Sequence, residues 1–263
     1  MPSTTLSNTI HPTAVIEKGA QIGEGVTIGA YAYIGPQAII GNDNNIHHHA
    51  SVDGRTEMGE GNEVFPYAYI GAKTHDLKYR GGCPGLKIGN KNVFRESVTV
   101  HCATYDDEYT ILGDNNVLLA YSHVAHDCIV GNHMVMSSHA ALGGHVTVAD
   151  NVNVGWGVGV HQFCAIGDYA MLGASSKVVQ DVMPYMIADG TPACVRIFNK
   201  VGLERSGFTP EDMAVIRMIY KTFYRKGLNR AQAIETLKND SSNSHPLVQR
   251  VLKFIENSKR GLA

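Results

Sequence analysis

Large apolar residues recur at every sixth position of this chain, in one phase, from Ile10 to Val178. Seven isoleucines from Ile10 to Ile46 open the series, and Val52, Met58, Val64 and Ile70 extend it. It resumes in the same phase at Ile88, Phe94 and Val100, then runs unbroken from Leu112 to Val178. Of the twenty-nine positions on this grid, only Asp76, Gly82 and Asp106 are not large and apolar. A small residue often stands two places before the beat, as at Ala14, Ala32, Ala50 and Ala68.

A six-residue period belongs to a parallel β-helix, where each unit supplies one short strand and one corner of a triangular prism. Three units close a coil of roughly eighteen residues, and each inward aliphatic stacks on its counterparts above and below. An α-helix is excluded because positions six apart drift around a helix of about 3.6 residues per turn instead of marking one face. A sandwich or barrel would show strand alternation between clear turns, which is absent.

The beat ends near Val178, and after the segment QDVMPYMIADGTP helical signals take over. Val195 to Ser206 reads as a first helix closed by Gly207. Thr209 caps a second, with Pro210 at its first position and Glu211 and Asp212 suited to the positive helix end. Asn229 and Gln232 form a capping-box start to a third, and Pro246 opens a fourth running toward Gly261. The expected organisation is a β-helix over residues 1–190 and an α-helical C-terminal domain over 191–263.

The chain has 263 residues and a formal net charge of -2, which argues against nucleic acid as its main partner. Its five cysteines, Cys83, Cys102, Cys128, Cys164 and Cys194, follow no CxxC spacing and read as free thiols. The start is polar, without a charged-then-apolar leader, and no run of roughly eighteen apolar residues occurs, so a cytoplasmic protein without membrane insertion is expected.

Two interruptions of the beat, at about 72–87 and 102–110, read as loops thrown out from a corner of the prism. They are either tolerated insertions or, as loops on rigid scaffolds often are, functional. The first carries His75, Asp76, Lys78, Tyr79 and Arg80 within six positions, which suits contact with a polar ligand.

Thirteen histidines are many for this length, and their spacing matters more than their number. Positions eighteen apart stack, so the column through His126 reaches Gly144 and then Gln162, with His145 and His161 adjoining and His123 to one side. These residues gather over roughly 10 Å of stack. They are open to three readings: solvated turn residues, a zinc site resembling that of the gamma-class carbonic anhydrases, or general-base catalysis by a neutral imidazole. Asp127 beside His126 and the Gly143-Gly144 pair supply further parts for the third. By contrast, His47, His48 and His49 read as surface residues. Gly155, Gly157 and Gly159 have no following helix and read as β-helix glycines, not a nucleotide loop.

The segments IHPTAVIE, HDLKY, IGNKNVFRESVTVH, SHVAHDC, GGHV, GVHQF and VGLERSGF occur in this order along the chain. In order and spacing they resemble the UDP-N-acetylglucosamine O-acyltransferases of lipid A biosynthesis, hexapeptide-repeat enzymes, over almost the whole length. The resemblance implies a left-handed winding, a homotrimer with active sites between subunits, and transfer of an (R)-3-hydroxyacyl group from acyl carrier protein to the 3-hydroxyl of UDP-N-acetylglucosamine. It further implies that His126 is the general base, that Asp127 orients it, and that the Gly144 amide receives the oxyanion. Asp76, Lys78, His123, His145, His161 and Gln162 match pocket positions, Asn199 and Arg205 match contacts to the nucleotide end, and Ala174 stands at the acyl-length position. No cofactor or metal is implied.

The chemistry agrees with this. A thioester is already activated, so the enzyme needs mainly a base, which contributes roughly two to four decades, and an oxyanion donor, which contributes roughly two to three. No GxSxG elbow for a covalent acyl-enzyme is present. Arg217, Lys221 and Arg225 recur at four-residue spacing and share one helix face, which is either a solvated stripe or the dock for an acidic carrier protein.

Two departures from the family pattern stand out. Glu204 and Ser206 replace basic residues in GLERSG, and the methyl of Ala174 in place of glycine suggests a shorter acyl chain. A related N-acyltransferase of the same pathway is a further alternative, though it commonly carries an extra N-terminal domain, and here the repeat begins at Ile10.

Overall fold

The computed structural model describes residues 7–263, so the polar first six positions lie outside the described residues. Mostly two-residue strands follow one another around three sheets of eleven, nine and eight strands, and up to Lys177–Val178 each strand pairs in parallel with the third one before or after it. Thr9 pairs with Thr27, Val15 with Tyr33 and Gln21 with Ile39, an offset of 18 in every case. The expected coil of eighteen residues is therefore observed.

Inward grid residues form the core. Ile34, Ile46, Val52, Val64, Phe94, Leu118 and Val124 are fully buried, whereas Ile10 is 44% exposed because no coil among the described residues stacks beneath the first. Burying such a side chain stabilises by about 1.5–3 kcal/mol, and the column repeats that gain at every layer.

The two interruptions do not break the beat because each is a whole number of units. Val64 pairs with Phe94, an offset of 30, or 18 + 12; Phe94 pairs with Leu118, an offset of 24, or 18 + 6. The loops are shorter than the sequence suggests. Residues Gly85–Ile88 and Tyr109–Leu112 are four-residue strands that pair with each other, and the buried Leu86 and Thr110 carry the core across the interruption.

The first expected helix is also shorter. Met186–Gly190 and Ala193–Phe198 form an antiparallel hairpin on the end of the eleven-stranded sheet, so residues 195–198 are strand. Val195 and Ile197 are β-branched, and Phe198 turns into the core, which favours extension over a helix. Helix α1 (Lys200–Arg205) begins only after Asn199, whose side chain accepts from the Gly202 amide. Helices α2 (Pro210–Tyr224) and α3 (Arg230–Lys238) start at the anticipated caps, Thr209 and Asn229; the box with Gln232 was expected, and Thr209 forms one with Asp212 as well. Helix α4 (Pro246–Asn257) opens at Pro246 and ends short of Gly261.

Helix α2 packs against α3, α4 and the hairpin. The tail then returns to the last coil: Asp181 Oδ2 accepts from Ser258 Oγ at 2.7 Å and from the Lys259 and Arg260 amides at 3.1 and 3.2 Å. Arg250 pairs with the largely buried Asp168 at 2.6 Å and ties α4 to the stack.

Candidate active site

Both loops, and the histidine column, occupy one corner of the prism, where the chain passes from the nine-stranded to the eight-stranded sheet. The first loop joins Tyr69–Ala72 to Gly85–Ile88, the second joins Thr99–His101 to Tyr109–Leu112, and His126, Gly144 and Gln162 follow in the next three turns of that corner. Register therefore stacks two polar loops directly on the histidines.

His126 is 7% exposed, and its Nδ1 lies 2.6 Å from Asp127 Oδ2. Nδ1 thus carries the proton donated to the carboxylate, which leaves Nε2 as the acceptor. Thr104 completes the arrangement: its hydroxyl donates to Asp127 Oδ2 at 2.6 Å, and its amide donates to Asp127 Oδ1 at 3.0 Å. Burial opposes the ionisation of Asp127, but the bonds from Thr104 and His126 outweigh it and hold the carboxyl below its usual range. Asp127 has φ 59, a left-handed turn conformation that Asp tolerates, and the Thr110 hydroxyl accepts from its amide at 2.8 Å.

Gly144 must be glycine for a steric reason. A Cβ there would sit 2.5 Å from His126 Cε1 and 2.7 Å from Nε2, so the imidazole lies directly on the glycine backbone. At another corner, amides at the same turn position, two residues after the inward one, donate to an Asn or Asp side chain of the next coil, as Glu60 does to Asn90 and Asp114 to Asn132. The Gly144 amide has no such acceptor among the described residues, nor do those of His126 and Gln162. An uncommitted donor beside Nε2 can meet a developing negative charge.

His145 joins the group: its Nε2 is 3.6 Å from Asp127 Oδ2, and its ring stacks on Phe163 with centroids 4.5 Å apart. Asp76 reaches within 4.0 Å of His126 Nδ1 from the first loop, and the Lys78 amide, donating to it, keeps its carboxyl below the usual range. The Lys78 side chain is exposed. His123 contacts His75 and His101, at ring separations of 5.4 and 5.1 Å, and accepts or donates through Nδ1 with Thr99 Oγ1 at 2.8 Å. Burial, then the neighbouring imidazoles, push His123 down to about 4, and burial with His75 does the same to His101.

Other expected residues lie apart. His161 and Gln162 are exposed on the corner, and His161 Nδ1 meets Arg260 Nη2 at 3.3 Å, not His126. Asn199 is engaged as the cap of α1 and donates to the Tyr169 carbonyl at 2.9 Å, while Arg205 is exposed at the end of that helix. Ala174 belongs to a different corner, between Met171–Leu172 and Lys177–Val178. Arg217 lies over the Phe198 ring and Arg225 over Tyr220, with Lys221 exposed between them.

Sequence reasoning singled out His75 in the first loop but missed Thr104, Thr110 and His101. Thr104 and Thr110 lie within the second interruption and His101 just before it, so their place in or next to a loop was the available signal. What it lacked was the fold-back of each loop onto the next coil.

Comparison with known proteins decides the family. A family model described as UDP N-acetylglucosamine O-acyltransferase, domain 2, matches residues 181–263, and a bacterial transferase hexapeptide model matches 7–36 and 19–54. The acyl-carrier-protein-dependent UDP-N-acetylglucosamine O-acyltransferase of Paracidovorax citrulli is 44% identical over 97% of this chain and 99% of its own. The chain belongs to the UDP-N-acetylglucosamine O-acyltransferase family. The solved acyltransferase of Francisella novicida superposes with a TM-score of 0.93, at 33% identity, over 97% of this chain and 93% of its own. That of Moraxella catarrhalis does so at 0.92, with 36% identity and coverage of 96% and 98%. Such superposition requires a shared winding hand, so this acyltransferase is a left-handed parallel β-helix with helices at its C-terminal end.

Proposed function

We propose that the chain transfers an (R)-3-hydroxyacyl group from acyl carrier protein to the 3-hydroxyl of UDP-N-acetylglucosamine. The observation that carries this reading is the His126 ring seated on the Gly144 backbone, with Asp127 and Thr104 behind it. Nε2 of His126 removes the sugar hydroxyl proton as the oxygen attacks the thioester carbonyl. The carbonyl oxygen becomes an oxyanion facing the Gly144 amide. Collapse breaks the carbon–sulfur bond, and the imidazolium returns its proton to the departing thiolate. Asp127 holds the ring in the required tautomer and offsets its transient charge. Asp76, Lys78, His123 and His145 line the pocket for the sugar nucleotide and acyl chain, with His161 and Gln162 at its exposed rim on the same corner; Asn199 and Arg205, which lie apart from His126 within one chain, would serve the nucleotide end across a subunit boundary.

A homotrimer completes the site. Ala174 lies on another corner, so it can limit acyl length at His126 only if a second copy brings it there. That same corner carries Tyr31, Tyr67 and Tyr121, exposed by 61%, 61% and 60%, in a ladder with His49 and His139. An exposed aromatic edge of this length suits an interface between copies.

The test is an assay with UDP-N-acetylglucosamine, its 3-amino analogue and a series of hydroxyacyl carrier proteins. His126→Ala should lower kcat by about 10²–10⁴-fold with little change in folding. Activity retained in that variant would sink the assignment of the base.

A further inference from the structure

We propose that His75, His101 and His123 form a binding site for one divalent transition ion of the zinc class, separate from the His126–Asp127 pair. The three residues come from three consecutive layers at the catalytic corner: the first loop, the strand before the second loop, and the strand before His126. One ring nitrogen from each lies within 4.8 Å of the other two. A tetrahedral zinc ion with nitrogen ligands at about 2.0–2.1 Å holds them roughly 3.3 Å apart, so small side-chain rotations close the set.

Hydrogen bonding favours ligation. His101 Nδ1 lies 3.0 Å from the Lys73 carbonyl, and His123 Nδ1 lies 2.8 Å from Thr99 Oγ1. Partners of this kind orient a liganding imidazole. His75 Nδ1 sits 3.0 Å from His101 Nδ1, a contact between two nitrogens of which only one can carry a proton. The remaining ring contacts, at 4.4, 5.1 and 5.4 Å within the trio and 5.3 Å from His75 to His126, are between imidazoles, and among the described residues no carboxylate pairs with any of the three. The neighbouring cluster of Asp76, His126, Asp127 and His145 could also gather around an ion. There, however, Asp127 is already saturated by Thr104 and His126.

Binding is measured on the full chain without substrate, so the outcome does not depend on the acyl-transfer reading. Zinc titration in competition with a chromophoric chelator should give one equivalent per chain. His75→Gln and His101→Gln should each weaken it by more than about 100-fold, beyond the loss expected when only a hydrogen-bond partner behind a ligand is removed, while His145→Gln leaves it unchanged. X-ray absorption at the zinc edge of the unmutated protein should count three imidazole nitrogens, which needs no variant to fold. Absence of uptake at micromolar zinc, or uptake that follows His145 and survives His75→Gln, would overturn the proposal.

Discussion

Thr104 decides the state of the His126–Asp127 pair more directly than any residue expected from the sequence alone. It contacts both Asp127 and His126, and a hydrogen bond to a charged group contributes about 1.5–3 kcal/mol. Thr104→Val should lower kcat by about 10- to 100-fold, leave KM for the sugar nucleotide nearly unchanged, and shift the pH profile; an unaltered profile would remove Thr104 from this role. The neutral imidazoles at His101 and His123 make a separate prediction. Each titrates at about 4 in the folded chain against 6.5 when unperturbed, so between these values the unfolded chain binds more protons. Their contribution to stability is unaffected above about pH 6.5 and declines as pH falls toward 4. The melting temperature should follow that slope, and His101→Asn should flatten it; a slope independent of the substitution would assign the loss elsewhere. His75, Asp76 and His126 face the same cluster and belong in the control set.

At the level of elements, the six-residue beat made the strands legible because each unit has one inward position and the stack repeats it. The loops were legible as interruptions. Their lengths in whole hexapeptide units explain why the phase survives, and their folding back over His126 could not be read from spacing. The first helix was misread because Val195 to Phe198 carry no turn signal, and only pairing with Met186–Gly190 makes them strand. Helices α2 and α3 announced themselves through local caps, which need no distant partner. On α2, Arg217 and Lys221 remain exposed and suit an acidic carrier. Arg217→Glu with Lys221→Glu should raise KM for acyl carrier protein severalfold and leave that for UDP-N-acetylglucosamine unchanged. An unmoved KM would mark the stripe as a solvated helix face.

Over the whole molecule, stability should follow the stacking of coils. Leu118 is fully buried in mid-stack, and Leu118→Ala should cost about 2–5 kcal/mol, read as a lower denaturation midpoint; a change below about 1 kcal/mol would mean that the column tolerates gaps. Among the described residues no helix is long and apolar enough to cross a membrane.

By itself the sequence determined the coil length, the inward column, the register that puts His126 over Gly144, and the capped starts of α2 and α3, because each depends on spacing along one chain. The folded molecule alone decided that both loops share one corner, that Thr104 seats Asp127, that His75 and His101 join His123, and that His161 turns toward Arg260. Those contacts join positions far apart in the chain, and no local period encodes which side chains a fold-back brings together.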